Sequence, residues 1–554
     1  MKLSAKPFNL SRSDTAWVEK TRDAMSTEDK IRQLFVHISI GDNPKEIADF
    51  SAMKPGGLHR FMGPELEPAW QATRQFMQSC EVPPFITGDI EGGGHGSAAM
   101  LQFPNNLGMA AANDPKLSAR LLQAVCDEAR ALGFNWSFTP CIDINHATES
   151  AIVGTRSYGS NLKTIAAQAK VHIATLQKNG IAATAKHWPG EGYDARDQHL
   201  VTTVNPLSMK DWRKTFGKLY GGLIDQGVLS VMSAHIALPA YMKGKRGLEL
   251  LRPASINKHL NLKLLRKDMG FEGLIISDAT PMAGLTSYSA REEQVPEVIE
   301  NGCDMFLFSP NPEADLKFML KGLKEKRLSE KRLEESVTRI LALKAALGLH
   351  KMSLDQRIKP LAEVREIVKS KKHLDIASQA AEKSITLVKD VKMLLPLSPS
   401  KYKRVTIIDS GAPNMFGGPR KEMKVFADEL RGRGFELTHF DPTNLPSKDN
   451  TDLLLYVLST ESSLGLSHIH MDWLAEHKGF KHGMARFWHD VPTLMISFGH
   501  AYYLRDAPRV PAYVNAYSTG EAVQRAAAQA LCSNAKMKGK SPVDAFAGAP
   551  DSRY

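Results

Sequence analysis

Ile181 to Leu200 reads IAATAKHWPGEGYDARDQHL. The apolar run Ile181–Lys186 has the length and content of a buried strand, and Pro189, Gly190 and Gly192 make the stretch after it a loop. Similar runs lie before it at Gln33–Ile38, Gly57–Phe61, Phe85–Asp89 and Asn135–Pro140, and after it at Leu229–Ala234, Gly273–Ser277 and Met305–Phe308. Mainly helical spacers separate them. Eight β segments in that alternation predict an α/β chain whose residues 1–349 form a (β/α)8 TIM-type barrel with insertions. Ser26 to Asp29 (STED) has the form of a capping box before the first strand, and Arg339 to Gly348 (RILALKAALG) reads as a closing helix with a glycine C-cap.

The charged stretch 350–375 reads as a linker. Beyond it, over 376–554, the runs Val405–Asp409, Leu437–Phe440, Leu453–Leu458, Thr493–Phe498 and Ala512–Ala516 alternate with helical segments, the pattern of an open α/β sheet. Two or three domains also suit a chain of 554 residues. With 43% hydrophobic and 24% charged residues, the composition excludes a disordered chain, a collagen-like repeat and a small disulfide scaffold.

The net charge of +11 is mild over this length, and basic segments such as Lys321 to Arg332 (KGLKEKRLSEKR) read as solvated helix faces rather than nucleic-acid contacts. No run approaches the roughly 20 apolar residues of a membrane span, and the first residues, MKLSAKPFNLSRSD, lack the apolar core of an export signal. Cys80, Cys126, Cys141, Cys303 and Cys532 are scattered without metal-ligand spacing and read as buried reduced thiols. A soluble cytoplasmic protein is expected, with no nucleic-acid or membrane partner.

Ionisable residues recur where these strands end. Asp89 closes the third run, Lys186 and His187 the fifth, His235 the sixth and Asp278 the seventh, while Arg156 follows the fourth in GTRSYG. In a (β/α)8 barrel the loops at the carboxyl ends converge on the active site. Each residue has a plainer reading alone: Asp278 as a helix cap, His187 as a core histidine, Arg156 as an ion-pair partner. Together they point to one site.

Asp197-x-His199 sets a carboxylate beside an imidazole, a natural acid/base unit in which the Asp fixes the tautomer and stabilises the imidazolium. A strand-end carboxylate such as Asp278 suits direct nucleophilic attack, and a separate donor suits protonation of a leaving oxygen. That division of labour belongs to a retaining glycosidase, with His199 backed by Asp197 in place of the usual second carboxylate. Asp89, Arg156, Lys186 and His187 then read as ligands of sugar hydroxyls in a small glycoside or oligosaccharide. Gly92 to Gly96 (GGGHG) does not match a dinucleotide fingerprint, and His468, His470 and His477 lack a supporting Cys or carboxylate cluster, so neither a cofactor nor a metal is expected.

These residues resemble glycoside hydrolase family 3, in its β-N-acetylglucosaminidase branch. KHWPGEGYDARDQHL is similar to that branch's K-H-F-P-G-H-G-x-x-x-x-D-S-H signature, GFEGLIISDA to its nucleophile segment and ITGDIEGG to its D-x-E-G-G segment; GTRSYG, MSAHIALPA, RPASIN and NGCDMFLF also fall in family order. AAEKSITLVKD, LLPL, PTLMISFGHAYYL and VPAYVNAYSTGEAVQRAAAQAL resemble the α/β sandwich domain of two-domain members. The resemblance implies Asp278 as nucleophile, His199 as acid/base with Asp197 behind it, and Asp89, Arg156, Lys186 and His187 as ligands of the first sugar. The implied activity is exo-acting β-N-acetylhexosaminidase.

Four departures stand out. The signature's G-H-G is Gly190-Glu191-Gly192 here, Tyr193 stands where Asp is common, and Ser255-Ile256 replaces Thr-Leu. The sugar-binding Arg that the branch carries just after E-G-G is missing from Gly94, His95, Gly96 and Ser97, with His95 a substitute. A β-glucosidase, which would draw its acid/base from the C-terminal domain (Glu461 or Glu521), a glycoside phosphorylase and a non-catalytic sugar-binding homologue are the competing readings. The oligomeric state is not legible.

Overall fold

The computed structural model describes residues 1–92, 97–413 and 419–554. Contacts divide the chain into two compact units: 1–101, 119–143 and 166–373 make the first, and 102–118, 144–165 and 374–554 the second. In the first unit all eight expected strands form one closed, all-parallel barrel, each paired with its neighbours in chain order and the eighth with the first. The strands are Phe35–Ile40, Gly57–Phe61, Phe85–Gly88, Trp136–Ser137, Ala182–Trp188, Ser230–Ser233, Leu274–Ala279 and Met305–Leu307. A barrel strand faces side chains inward and helices outward, so it must be apolar on both sides. Ala182–Trp188 is accordingly buried at every position.

Most strand bounds differ from the expected runs by a residue or two, and the first and fourth strands differ most. Gln33 and Leu34 belong to the turn that closes the helix Thr27–Arg32, their N–H groups donating to Asp29 and Ile31. The fourth strand keeps only Trp136–Ser137, although the Phe138 N–H still donates to the Gly88 carbonyl and the Thr139 and Pro140 carbonyls accept from Thr184 and Lys186. Ser26 caps the first of these helices by accepting from the Asp29 N–H, and the closing helix runs over Glu330–Ala346, ending at Gly348 with φ +71°. A two-residue parallel pairing, Thr203–Val204 with Ile236–Ala237, joins the loops after the fifth and sixth strands. It is too short to leave a periodic signal.

The second unit holds a six-stranded sheet. The five strands read from sequence are its parallel part, in the spatial order Ala512–Asn515, Thr493–Ser497, Leu453–Leu458, Arg404–Ser410, Glu436–His439. An antiparallel strand, Thr386–Asp390, covers the Ala512–Asn515 edge. It escapes an apolar-run search because only alternate parts of it are buried and it ends Lys389-Asp390. The helix Asn106–Ala112 packs Leu107 and Ala111 against Ala501, Tyr502, Tyr517 and Val543 within this unit. Between the expected barrel and second domain, 350–375 carries the short helices Leu354–Arg357 and Leu361–Ile367.

Among the described residues no helix is long and apolar enough to cross a membrane. Cys126, Cys141 and Cys303 are buried as expected, whereas Cys80 and Cys532 are only half-buried.

Candidate active site

The carboxyl ends of the barrel strands gather the ionisable residues of the first unit. Asp89, one residue past the third strand, receives the Lys186 ammonium of the fifth at 2.7 Å, and Glu91 receives the same ammonium at 2.5 Å. Burial alone would push the Asp89 carboxyl up; the Lys186 charge beside it holds it below the ordinary carboxylate range. His59, in the middle of the second strand, lies 3.5 Å from Asp89 and is pushed down to about 4 by burial, so it is neutral. One ammonium between two carboxylates gives the rim fixed acceptors and a fixed donor, the groups that orient a polyhydroxylated ligand.

His187 is held by Asp143. The carboxylate accepts the Nδ1 proton at 2.6 Å and the His187 backbone N–H at 3.2 Å, and further bonds from the Cys141 thiol at 3.0 Å and the Glu191 N–H at 2.9 Å. Burial raises the Asp143 pKa, and the His187 charge overrides it, keeping the carboxyl below its usual range. Cys141, Asp143 and His187 stand close enough to share a cation. The thiol and imidazole protons already lie on Asp143, however, so the trio is a hydrogen-bond network fixing the His187 ring.

Asp278 lies near the end of the seventh strand, 8% exposed. Its Oδ1 accepts the Ala279 N–H at 2.8 Å; its Oδ2 is buried and has no hydrogen-bond partner among the described residues. Burial raises this carboxyl, and the charges of His187, His235 and His199 and the Ala279 N–H pull it below the ordinary range. His235 is hydrogen-bonded at both ring nitrogens. Its Nε2 donates to the Ala279 carbonyl at 2.9 Å, so Nδ1 accepts from the Ser255 hydroxyl at 2.8 Å, and burial keeps this neutral tautomer. An ionised carboxylate with one oxygen free of donors among the described residues is chemically able to form a bond.

Asp197 and His199 lie on the loop after the fifth strand. Asp197 is buried and accepts His199 Nδ1–H at 2.6 Å, while the His199 side chain remains 20% exposed. That leaves Nε2 to exchange a proton with a ligand.

Residues 26–343 match the glycosyl hydrolase family 3 N-terminal domain. The chain is 36% identical over 565 residues to a β-N-acetylglucosaminidase/β-glucosidase of Cellulomonas fimi, covering 99% of this chain and 98% of that protein. It belongs to glycoside hydrolase family 3. It is therefore an enzyme of the class that acts on glycosyl bonds. Among solved structures, a β-glucoside phosphorylase bound to 2FGlc superposes with a TM-score of 0.92 at 35% identity over 99% of both chains. A family 3 β-N-acetylglucosaminidase from Paenibacillus sp. str. FPU-7 gives 0.81 at 22% identity over 95% of this chain and all of that one, a likeness of fold.

In this family 3 site, sequence reading left two carboxylates unassigned, Asp143 and Glu91. Asp143 sits three residues past Pro140 at the end of the fourth run, where the strand-end rule would have found it; Glu91 lies inside the D-x-E-G-G segment. Arg156 belongs to the second unit, in the turn Gly154–Arg156, and its carbonyl accepts from Asn106 Nδ2 at 2.7 Å. His95 and its neighbours Gly94 and Gly96 lie outside the described residues.

Glu461, one of two glucosidase-type acid candidates, is fully engaged inside the second unit. It accepts from Asn105 Nδ2 at 2.7 Å, the Thr519 hydroxyl at 2.6 Å and the Ser518 hydroxyl at 3.2 Å. Glu521 is exposed and pairs with Arg525 at 3.3 Å. His468 and His470 stack on the surface with centroids 4.6 Å apart, while buried His477 is bound separately to the His482 carbonyl and the Tyr456 hydroxyl.

Proposed function

We propose that this family 3 enzyme removes terminal β-linked N-acetylglucosamine from small glycosides, exo-acting and with retention of configuration. The observation that carries the reading is the bare, buried Oδ2 of an ionised Asp278 together with the Asp197–His199 dyad. In the first half-reaction Asp278 Oδ2 forms a bond to the anomeric carbon as the bond to the leaving oxygen breaks. The imidazolium of His199 gives its Nε2 proton to that oxygen, and Asp197 stabilises the charge. In the second half, water attacks the same carbon, neutral His199 takes its proton, and the bond to Asp278 breaks. Asp89, Lys186 and His187 bind the sugar hydroxyls in this reading.

The sugar is supported by the signature loop and by the name of the Cellulomonas fimi relative, which carries both β-N-acetylglucosaminidase and β-glucosidase. A second reading, a phosphorylase acting on β-glucosides, is favoured by the 35% identity to a β-glucoside phosphorylase over 99% of both chains. It has a physical basis too. A neutral histidine repels an incoming phosphate less than an anionic glutamate would, and phosphate attacks without surrendering a proton.

One assay separates these readings. Nitrophenol release is measured from the β-N-acetylglucosaminide and the β-glucoside, side by side, with and without phosphate. Preference for the N-acetyl sugar in plain buffer supports the proposal. A glucoside preference in plain buffer makes the enzyme a β-glucosidase, and a rate that requires phosphate and yields a sugar phosphate moves it to the second reading. The Asp278→Asn variant is the control, and wild-type turnover by it would remove the nucleophile assignment.

A further inference from the structure

Gln198 separates Asp197 from His199 and is fully buried. A glutamine in a surface loop normally reaches for water; this one is turned inward and used at both ends. Its Nε2 donates to Glu191 Oε2 at 3.2 Å, and its Oε1 accepts the His235 backbone N–H at 2.9 Å. The first contact crosses the base of its own loop and the second reaches the end of the sixth strand.

The backbone of the same residue is also occupied. The Gly284 N–H donates to the Gln198 carbonyl at 3.2 Å, and the Ala283 N–H to the His199 carbonyl at 3.0 Å. Both donors start the short helix after the Asp278 strand. A Cβ at Gly284 would come within 2.3 Å of the Gln198 carbonyl oxygen and 2.9 Å of the His235 Cβ, so only glycine allows this approach. Thr202 adds a hydroxyl bond to the Gly284 carbonyl at 2.6 Å.

Glu191 is itself anchored, its N–H on Asp143 at 2.9 Å and its carboxylate accepting from the Thr203 hydroxyl at 3.3 Å. Glu191 and Gln198 are also two positions at which the loop departs from the branch signature, which has His and Ser there. The two departures bond to each other.

Resting on the acid/base reading of His199, we infer that Gln198 is a positioning residue that pins the acid/base loop to the sixth and seventh strands, holding His199 at a fixed place beside Asp278. The loop is then set before substrate arrives. A buried amide bonded on both sides suits this task, because removing it strands a carboxylate oxygen and a backbone N–H that the fold has already taken out of water. An imidazole displaced by about an ångström loses much of its power as an acid.

The test is the dependence of rate on leaving group in Gln198→Met, which keeps the volume and removes both side-chain bonds. Aryl glycosides of the preferred sugar are compared, one with a good leaving group (dinitrophenyl) and one with a poor one (phenyl). The ratio of their kcat/KM values, which report the first half-reaction alone, is independent of how much of the variant is folded. Gln198→Met is expected to slow the phenyl glycoside by at least about tenfold more than the dinitrophenyl glycoside, since only the former needs the proton. An unchanged ratio, with or without a lower melting temperature, overturns the positioning role. His199→Ala is run in parallel: if it too leaves the ratio unchanged, the acid/base reading has failed and takes the inference with it. A ratio altered in His199→Ala alone rejects Gln198 and keeps the histidine.

Discussion

Asp197 accepts both protons that His199 presents to it, the Nδ1–H at 2.6 Å and the backbone N–H at 2.8 Å, on a single oxygen, Oδ1. The carboxylate thereby fixes the ring and the chain that carries it. Asp197→Ala is expected to lower kcat/KM by about 10²–10⁴-fold on glycosides with poor leaving groups, and by much less on dinitrophenyl glycosides. Equal losses on both would show that Asp197 supports the loop and not the proton transfer.

The pH dependence is set by Asp278. Its folded-state pKa is lowered, so the carboxylate stays ionised below the unfolded value of about 3.9. On the acid side kcat/KM is therefore expected to stay level as pH falls from 6 to about 4.5, and to drop only further down. A decline between pH 6 and 5, measured on a dinitrophenyl glycoside to suppress the contribution of His199, would contradict this.

Asp143 serves four donors at once in the buried interior. Asp143→Ala is expected to destabilise the barrel by about 3–5 kcal/mol, the usual cost of stranding one member of a buried pair, and to raise KM through a disordered His187. Denaturant unfolding and steady-state kinetics read the two effects separately.

Lys344, inside the closing helix, is wholly buried with its ammonium 2.7 Å from Gln33 Oε1, and burial pushes it down to about 7. Between pH 7 and the unfolded value of about 10.4, the unfolded chain binds more protons than the folded one, so this group makes stability rise with pH there. Lys344→Met is expected to stabilise the barrel by about 1–4 kcal/mol near neutrality and to flatten that rise. Unfolding midpoints at pH 7 and pH 9 test both.

Glu461→Gln separates the second unit from the chemistry. Its oxygens are taken up by Asn105, Ser518 and Thr519. The variant is expected to lower the melting temperature while leaving the leaving-group ratio at its wild-type value. A ratio shifted as in Asp197→Ala would make Glu461 the acid.

Much of the architecture was legible because parallel barrel strands are apolar on both faces and stand out as short runs between helices. Thr386–Asp390 was hidden for the converse reason, as an edge strand half in solvent. The strand-end rule located Asp89, Lys186, His187 and Asp278. It said nothing of Gln198 or Gly284, because a buried amide and a close backbone approach are made by residues far apart in the chain. Nor could spacing pair His187 with Asp143, 44 positions away.

Among the described residues, Asp278 Oδ2 is buried by folding and receives no donor in return. An oxygen in that condition has no solvation to shed when an electrophile arrives. On the proposed mechanism, the same feature makes it the expected target for mechanism-based labels. A fluorinated glycoside that forms the ester and hydrolyses slowly would mark one carboxylate among the 60 acidic side chains of this protein, and a mass map of the labelled peptide would name it without any mutation.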